Sequence, residues 1–374
     1  MSPPLPLEIF DLIIDHLHDE PSTLKACCRV SKSWIPRSRG HLFACVEFNS
    51  TGTPIDLWMK AFPDPSNSPA HHTRTLCLRD PGIVSTDTRA LIRSFCHVQT
   101  LSVNTFRWGG PDGISLLPFH GLSPILESLD LSEVHGSMSE IIGLVCSFPL
   151  LEDLLFSPEI LKTNTDGWAA PPTSPKLTGS LLLGGRNRSI ARELLNLPDG
   201  LHFSKIRVEW YIRDNDPGMV MDLVSRCSDT LETLYLRYYP LGASPLASTI
   251  DQSLTLDPDF LMVPSPLDLS NATELKDLGF RWAGSRVRWI TMTLRTVQSR
   301  ALQRIDVYFW IPYIRFTPTE EELREWHELD HLLVQLLTSR SILPTITCRT
   351  ALEGLMPRLL PELTRRGISG PQGE

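Results

Sequence analysis

A six-residue pattern that keeps returning constrains this chain more than anything else in it. An apolar residue is followed by two variable positions, a second apolar residue, one variable position and a third apolar residue. The clearest copies are LESLDL (126–131), LEDLLF (151–156), LETLYL (231–236), LKDLGF (275–280) and LQRIDV (302–307). VQTLSV (98–103) and FSKIRV (203–208) are weaker, and partial copies surround Val46, Leu76, Leu181 and Ile346. The fourth-position residues stand at 46, 76, 101, 129, 154, 181, 206, 234, 278, 305 and 346, and eight of the ten steps fall between 25 and 30 residues. Even spacing of this kind marks a supersecondary unit that buries its apolar face only by stacking on a neighbour. The alternation makes each copy a short strand with one face inward.

Helix-like segments lie between the strands, at 86–98, 139–148, 189–197, 218–227 and 286–298. Strand, crossover helix and return fit the repeat length, and parallel strands need such a right-handed crossover. The expected fold class is α/β: a curved parallel sheet inside and helices outside, a solenoid over residues 44–350. The longest step, 44 residues, carries a Pro-rich insertion at 239–270, expected as an excursion or loop on one rim. Residues 351–374 are expected to form a C-terminal cap and, after about residue 360, a disordered tail.

Residues 1–43 have a different texture, helical throughout. Pro6 suits a first helical turn, and Ile9, Ile13 and Leu17 recur every four residues, with Leu12 and Ile14 widening the stripe. Pro21 is expected to stop that helix and Ser22 to cap the next, whose apolar side is Leu24, Cys27, Cys28, Val30 and Trp34. About forty residues hold little core of their own. The module should lean on the repeats or on another protein.

These residues resemble an F-box, whose pattern is matched by Leu5, Pro6, Glu8, Ile9, Ile13 and Leu17. Leu24, Cys27, Val30, Ser31, Lys32 and Trp34 match its second half, and Leu42 with Phe43 its close. The later segments resemble degenerate leucine-rich repeats of the F-box-associated kind. The resemblance implies a substrate receptor of a Skp1–cullin–F-box ubiquitin ligase that catalyses nothing itself. It implies Skp1 contact through Leu5, Pro6, Ile9, Leu12, Ile13, Leu17, Leu24, Val30 and Trp34. Packing of Leu5, Pro6, Ile9 and Ile13 on the first repeat, and of Val30 and Trp34 in the module's own core, is the alternative reading. A scaffold acting outside the ligase is the alternative function.

A recruited protein would meet the variable strand positions. The early repeats offer Thr100, Ser102, Asn104, Ser128, Asp130 and Ser132 there. The later ones offer Arg207, Glu209, Tyr211, Tyr235, Arg237, Tyr239, Arg281, Arg304, Tyr308 and Trp310, types that dominate binding hot spots. They are the expected substrate-binding set, although aromatic residues also favour strands for their own sake.

Other chemistry is poorly served. The formal net charge is −8 with no basic block, which disfavours nucleic acid. No apolar run reaches the ~18 residues of a membrane span, and the first twenty residues lack the basic leader of a targeting peptide. Cytoplasm or nucleus is the expected location. The eight cysteines have no C-x-x-C pair and are expected to be reduced, buried thiols. The N-x-S/T sequons at Asn49, Asn187 and Asn271 carry no meaning without secretion. His327, Glu328 and His331 spell the His-Glu-x-x-His spacing of zinc hydrolases, a remote third reading. They lie opposite the Leu323/Trp326/Leu333 side of an amphipathic helix expected to be capped by Thr317 with Glu320, so no metal and no cofactor is expected.

Overall fold

The computed structural model describes residues 6–49, 55–64, 67–79, 86–104, 119–132, 137–156, 173–184, 188–211, 217–239, 265–283, 286–310, 317–340, 343–348 and 353–367. It is α/β, built of parallel strands and helices, and divides into two compact units. The first comprises residues 1–155 and 160–176, the second 156–159 and 177–374.

The first unit opens with α1 (Leu7–His16), α2 (Pro21–Val30) and α3 (Ile35–Leu42). Pro21 begins α2; it does not end α1, and Ser22 caps nothing, because a proline at the first helical position gives up an N–H that has no partner there anyway. Ile14, Leu24 and Cys27 form the module's interior, and the Phe10 and Trp34 rings meet at 5.2 Å. The Asp15 carboxylate ties α1 to α3: it accepts from the Arg37 guanidinium and, at 2.7 Å, from His41 Nε2.

Then follow β1 (Cys45–Asn49), α4 (Ile55–Ala61), β2 (Thr75–Arg79), α5 (Thr86–Arg93), β3 (Thr100–Asn104), β4 (Ser128–Ser132), α6 (Met138–Cys146) and β5 (Asp153–Phe156). Val46, Leu76, Leu101 and Leu129 stand in register across parallel β1–β4. Their side chains, and the next inward set of Phe48, Leu78, Val103 and Leu131, are buried. Phe48 packs edge-on against Trp58 of α4 and against Phe95 at 5.5 and 6.0 Å. Ser137 and Glu140 form a reciprocal capping box on α6, satisfying two amides that the helix itself leaves open.

The second unit contains β6 (Ser180–Leu183), α7 (Arg188–Leu195), β7 (Lys205–Tyr211), α8 (Pro217–Arg226), β8 (Thr233–Tyr239), β9 (Asp277–Ala283) and α9 (Arg288–Thr296). It continues with β10 (Arg304–Trp310), α10 (Glu320–Arg340), β11 (Leu343–Cys348), α11 (Met356–Leu359) and α12 (Pro361–Arg365). Leu181, Ile206, Leu234, Leu278 and Ile305 are in register across β6–β10. The ladder slips only at the end, where Ile305 pairs with Pro344 and Ile346 pairs with Val307. A proline at the expected leucine position displaced the apparent repeat by two residues. Inward aromatics fill this core: Trp289 of α9 stacks on Trp282 at 5.5 Å, Tyr238 stacks on Trp282 at 4.3 Å, and Phe309 meets Trp326 of α10 at 4.5 Å. Burial of that kind contributes roughly 1.5–3 kcal/mol per large side chain.

Successive strands share an entry joint. Arg74 and Thr75 donate their amides to the Ala44 carbonyl at 2.8 and 2.9 Å. The same pair of bonds recurs from Gln99 and Thr100 to Arg74, from Glu127 and Ser128 to Gln99, and from Glu152 and Asp153 to Glu127. In the second unit it recurs from Glu232 and Thr233 to Ser204, from Lys276 and Asp277 to Glu232, and from Gln303 and Arg304 to Lys276.

Two further expectations need correction, and one is narrowed. The end of the insertion is docked: Leu267 and Leu269 are buried, and their amides donate to Thr293 and Thr296 on α9 at 3.1 and 2.9 Å. Residues 240–264 of that insertion lie outside the described residues. Thr319 with Glu322, not Thr317 with Glu320, makes the capping box of α10; both pairs have the same spacing, and the helix starts after Thr319. The segment expected to begin a disordered tail forms α12, where Asp330 accepts from the amides of Glu362 and Leu363 at 2.7 and 3.0 Å, and Leu363 is buried. Residues 368–374 of that tail lie outside the described residues.

Candidate functional site

Two surfaces stand out, one in each unit. In the first, Leu7 (50% exposed), Ile9, Leu12 (58%), Ile13 and Val30 (67%) are large apolar side chains left open to solvent. Most exposed apolar residues of proteins are scattered singly and need no account, but a cluster on one small module does. The sequence-derived docking set separates accordingly. Ile9, Leu12, Ile13 and Val30 are open, Pro6 is exposed, Leu17 and Trp34 are half-buried, and Leu5 lies outside the described residues. Leu24 is buried as part of the module's own interior, so it supports the open face from beneath.

In the second unit, the variable positions of β7–β10 form ordered rows. One row runs Arg207–Tyr235–Gly279–Asp306 and the next Glu209–Arg237–Arg281–Tyr308, both by strand register. Glu209 accepts from Arg207 at 3.0 Å and from Arg237 at 3.1 Å. The Tyr235 hydroxyl donates to Asp306 at 3.2 Å, crossing β9 to reach β10. It crosses because residue 279 is glycine: a Cβ there would lie 2.0 Å from Tyr235 Cδ1. Arg304 Nε also donates to Asp306 at 2.9 Å. The Arg281 guanidinium lies 4.6 Å from the centre of the Tyr308 ring, a cation–π arrangement. Burial and the neighbouring Asp306 push the Tyr235 phenol up from its ordinary range.

The structure thus brings together Arg207, Glu209, Tyr235, Arg237, Arg281, Arg304 and Tyr308. Tyr211, Tyr239 and Trp310 lie on the same strands, with side chains outside the described residues. Sequence reasoning missed Gly279 and Asp306. Gly279 was legible, because a glycine inside a strand pattern marks a close approach. Asp306 was hidden as one acid among many.

The His-Glu-x-x-His segment lies on α10 as a solvent face. His327 Nε2 donates to the Arg358 carbonyl at 2.9 Å, Glu328 pairs with Arg295, and His331 is exposed. Trp326, Leu329 and Leu333 hold the opposite side. No group of three or more His, Cys, Asp or Glu side chains among the described residues could hold a metal ion. None of the helices among the described residues is long and apolar enough to cross a membrane. Of the seven cysteines whose side chains are described, none is in a disulfide, and only Cys27 and Cys227 are buried, while Cys45 and Cys96 are exposed, against the expectation of buried thiols. Burial pushes the Cys227 thiol up to about 11.

The chain matches no family model, and no curated protein is significantly similar to it in sequence.

Proposed function

We propose that this chain is a non-catalytic adaptor: an F-box-like helical module docks on Skp1, and a leucine-rich-repeat solenoid presents a recruited protein to a Skp1–cullin–F-box ubiquitin ligase in the cytoplasm or nucleus. The observation that carries the reading is the exposure of Ile9, Leu12 and Ile13, which share one side of α1, with Leu7 and Val30 also open, on a module whose interior is already filled by Ile14, Leu24 and Cys27. Covering such side chains is worth about 25 cal/mol per Å² removed from water, which favours a partner subunit there. An adaptor then acts by raising the local concentration of its target near the ligase chemistry.

Tagged chain recovered from cells tests this, with Ile9→Asp/Leu12→Asp/Ile13→Asp as the comparison. The unmodified chain should bring down Skp1 and cullin, and the triple variant neither, with unchanged circular dichroism because all three positions are exposed. Equal recovery of Skp1 by the triple variant would remove the docking face. Skp1 without cullin would leave the scaffold role in place of the ligase role.

A further inference from the structure

We propose that the open face of β7–β10 binds an extended acidic peptide segment, with an aspartate or glutamate side chain seated on Arg281. This deepens the adaptor reading and rests on it, since it names the chemistry of the recruited segment.

Charge makes the first argument. Lys205, Arg207, Arg237, Arg281 and Arg304 occupy open positions on these strands, alternating with buried residues. Glu209, Asp277 and Asp306 are the carboxylates among them. The face therefore carries a surplus of cations in a chain whose formal net charge is −8. A local field opposite in sign to the whole molecule attracts and orients acidic partners.

The second argument is how the carboxylates are used. Glu209 is shared by two guanidiniums, Arg207 and Arg237, which leaves that trio net positive. Asp306 is held by Arg304 and by the Tyr235 hydroxyl, so it is turned toward its own neighbours. Arg281 has no carboxylate partner among the described residues; its contact is the Tyr308 ring. A guanidinium steadied on an aromatic face has lost little hydrogen-bonding capacity and much of its freedom, so an incoming carboxylate meets a pre-organised fork.

The third argument is shape. Gly279 lets the Tyr235 ring lie across β9 in the row before Arg281. The ring forms an ordered, amphipathic floor beside the guanidinium, the surface that binding sites favour.

The test is fluorescence anisotropy on the full chain at low ionic strength. The probes are fluorescein-labelled twelve-residue peptides alternating alanine with glutamate, glutamine, lysine or phosphoserine. The glutamate peptide should bind at least about tenfold tighter than the glutamine peptide, as a charge-assisted bond requires, and weaken with salt. Arg281→Met should lose about tenfold while keeping the aliphatic packing. Glu209→Gln, which removes one negative charge from the face, should strengthen binding severalfold. Arg79→Met, on β2 of the first unit, should change nothing.

Equal binding of glutamate and glutamine peptides, or wild-type affinity in Arg281→Met, overturns the proposal. So do weaker binding in Glu209→Gln, tight binding of the phosphoserine peptide alone, and a dimer in sedimentation that Arg281→Met dissolves, which would make a second copy the occupant. Skp1 capture without acidic-peptide binding sinks this inference alone; acidic-peptide binding without Skp1 capture sinks only the ligase reading.

Discussion

Strands β1–β4 in the first unit are five residues long, and β7–β10 in the second are seven. Among the described residues, the first set turns two residues inward per strand, such as Leu101 and Val103. The second adds a third inward position on β8–β10, and it is always aromatic: Tyr238, Trp282 and Phe309. Trp289 and Trp326 from the helices pack against this added layer. The open faces differ in step. Thr100, Ser102, Ser128 and Asp130 offer small polar groups in the first unit, whereas Tyr235, Arg237, Arg281 and Tyr308 offer large ones in the second. Among the described residues, the seven-residue strands carry the added aromatic layer and the larger open-face side chains together.

Truncating the deep core is the harshest way to break this comparison. Trp289→Ala removes a side chain packed on Phe280 and Trp282 and hydrogen-bonded through Nε1 to the Ser265 carbonyl. It should cost about 3–5 kcal/mol, against about 1–2.5 kcal/mol for Val103→Ala in the shallow core. Urea unfolding monitored by hydrogen exchange in β9 and β3 compares them; equal costs would remove the distinction.

Gly279→Ala sharpens the same contrast at the open face. Its Cβ cannot coexist with the Tyr235 ring, so the loss should be about 1–3 kcal/mol. In a Tyr235→Ala background most of that loss should vanish, since neighbouring sites couple. Strict additivity in the double-mutant cycle would place the ring elsewhere.

The smallest effect tests the helical module, where an ion pair between α1 and α3 adds to the packed interior. Hydrogen bonds from Arg37 and then His41 hold the Asp15 carboxyl well below the usual carboxylate range. A depressed folded-state value means the stabilisation is complete above the unfolded value of about 4 and fades as pH falls below it. The melting temperature of the wild type should exceed that of Asp15→Asn at pH 7, by a contribution below about 1 kcal/mol for so exposed a pair. The gap should close under acid; a gap that widens below pH 4 would contradict the ion pair.

Much of this architecture was readable from spacing alone, because inward residues of stacked parallel strands must recur at the length of one unit. Leu76, Leu101, Leu234 and Leu278 lie where the ladder put them, in register and buried. Register failed at β11, where Pro344 replaced the diagnostic leucine. Capping failed at α10, where two threonine–glutamate pairs of equal spacing competed and spacing alone did not separate them. At the candidate site, the identities of the face residues followed from strand alternation. Their partners did not: that Tyr235 reaches Asp306 two strands away depends on an empty position at Gly279, a fact about neighbours in space that no single repeat contains.

The paired amides at these strand entries have a consequence for how such a chain can vary. Glu232 receives Lys276 and Asp277 across 44 residues of intervening chain as it would across 25, at 2.7 and 3.0 Å. Rung spacing is set by the joint and is indifferent to the length of the tether between rungs. Added length between two rungs is therefore compatible with the rows of side chains on either side keeping their places.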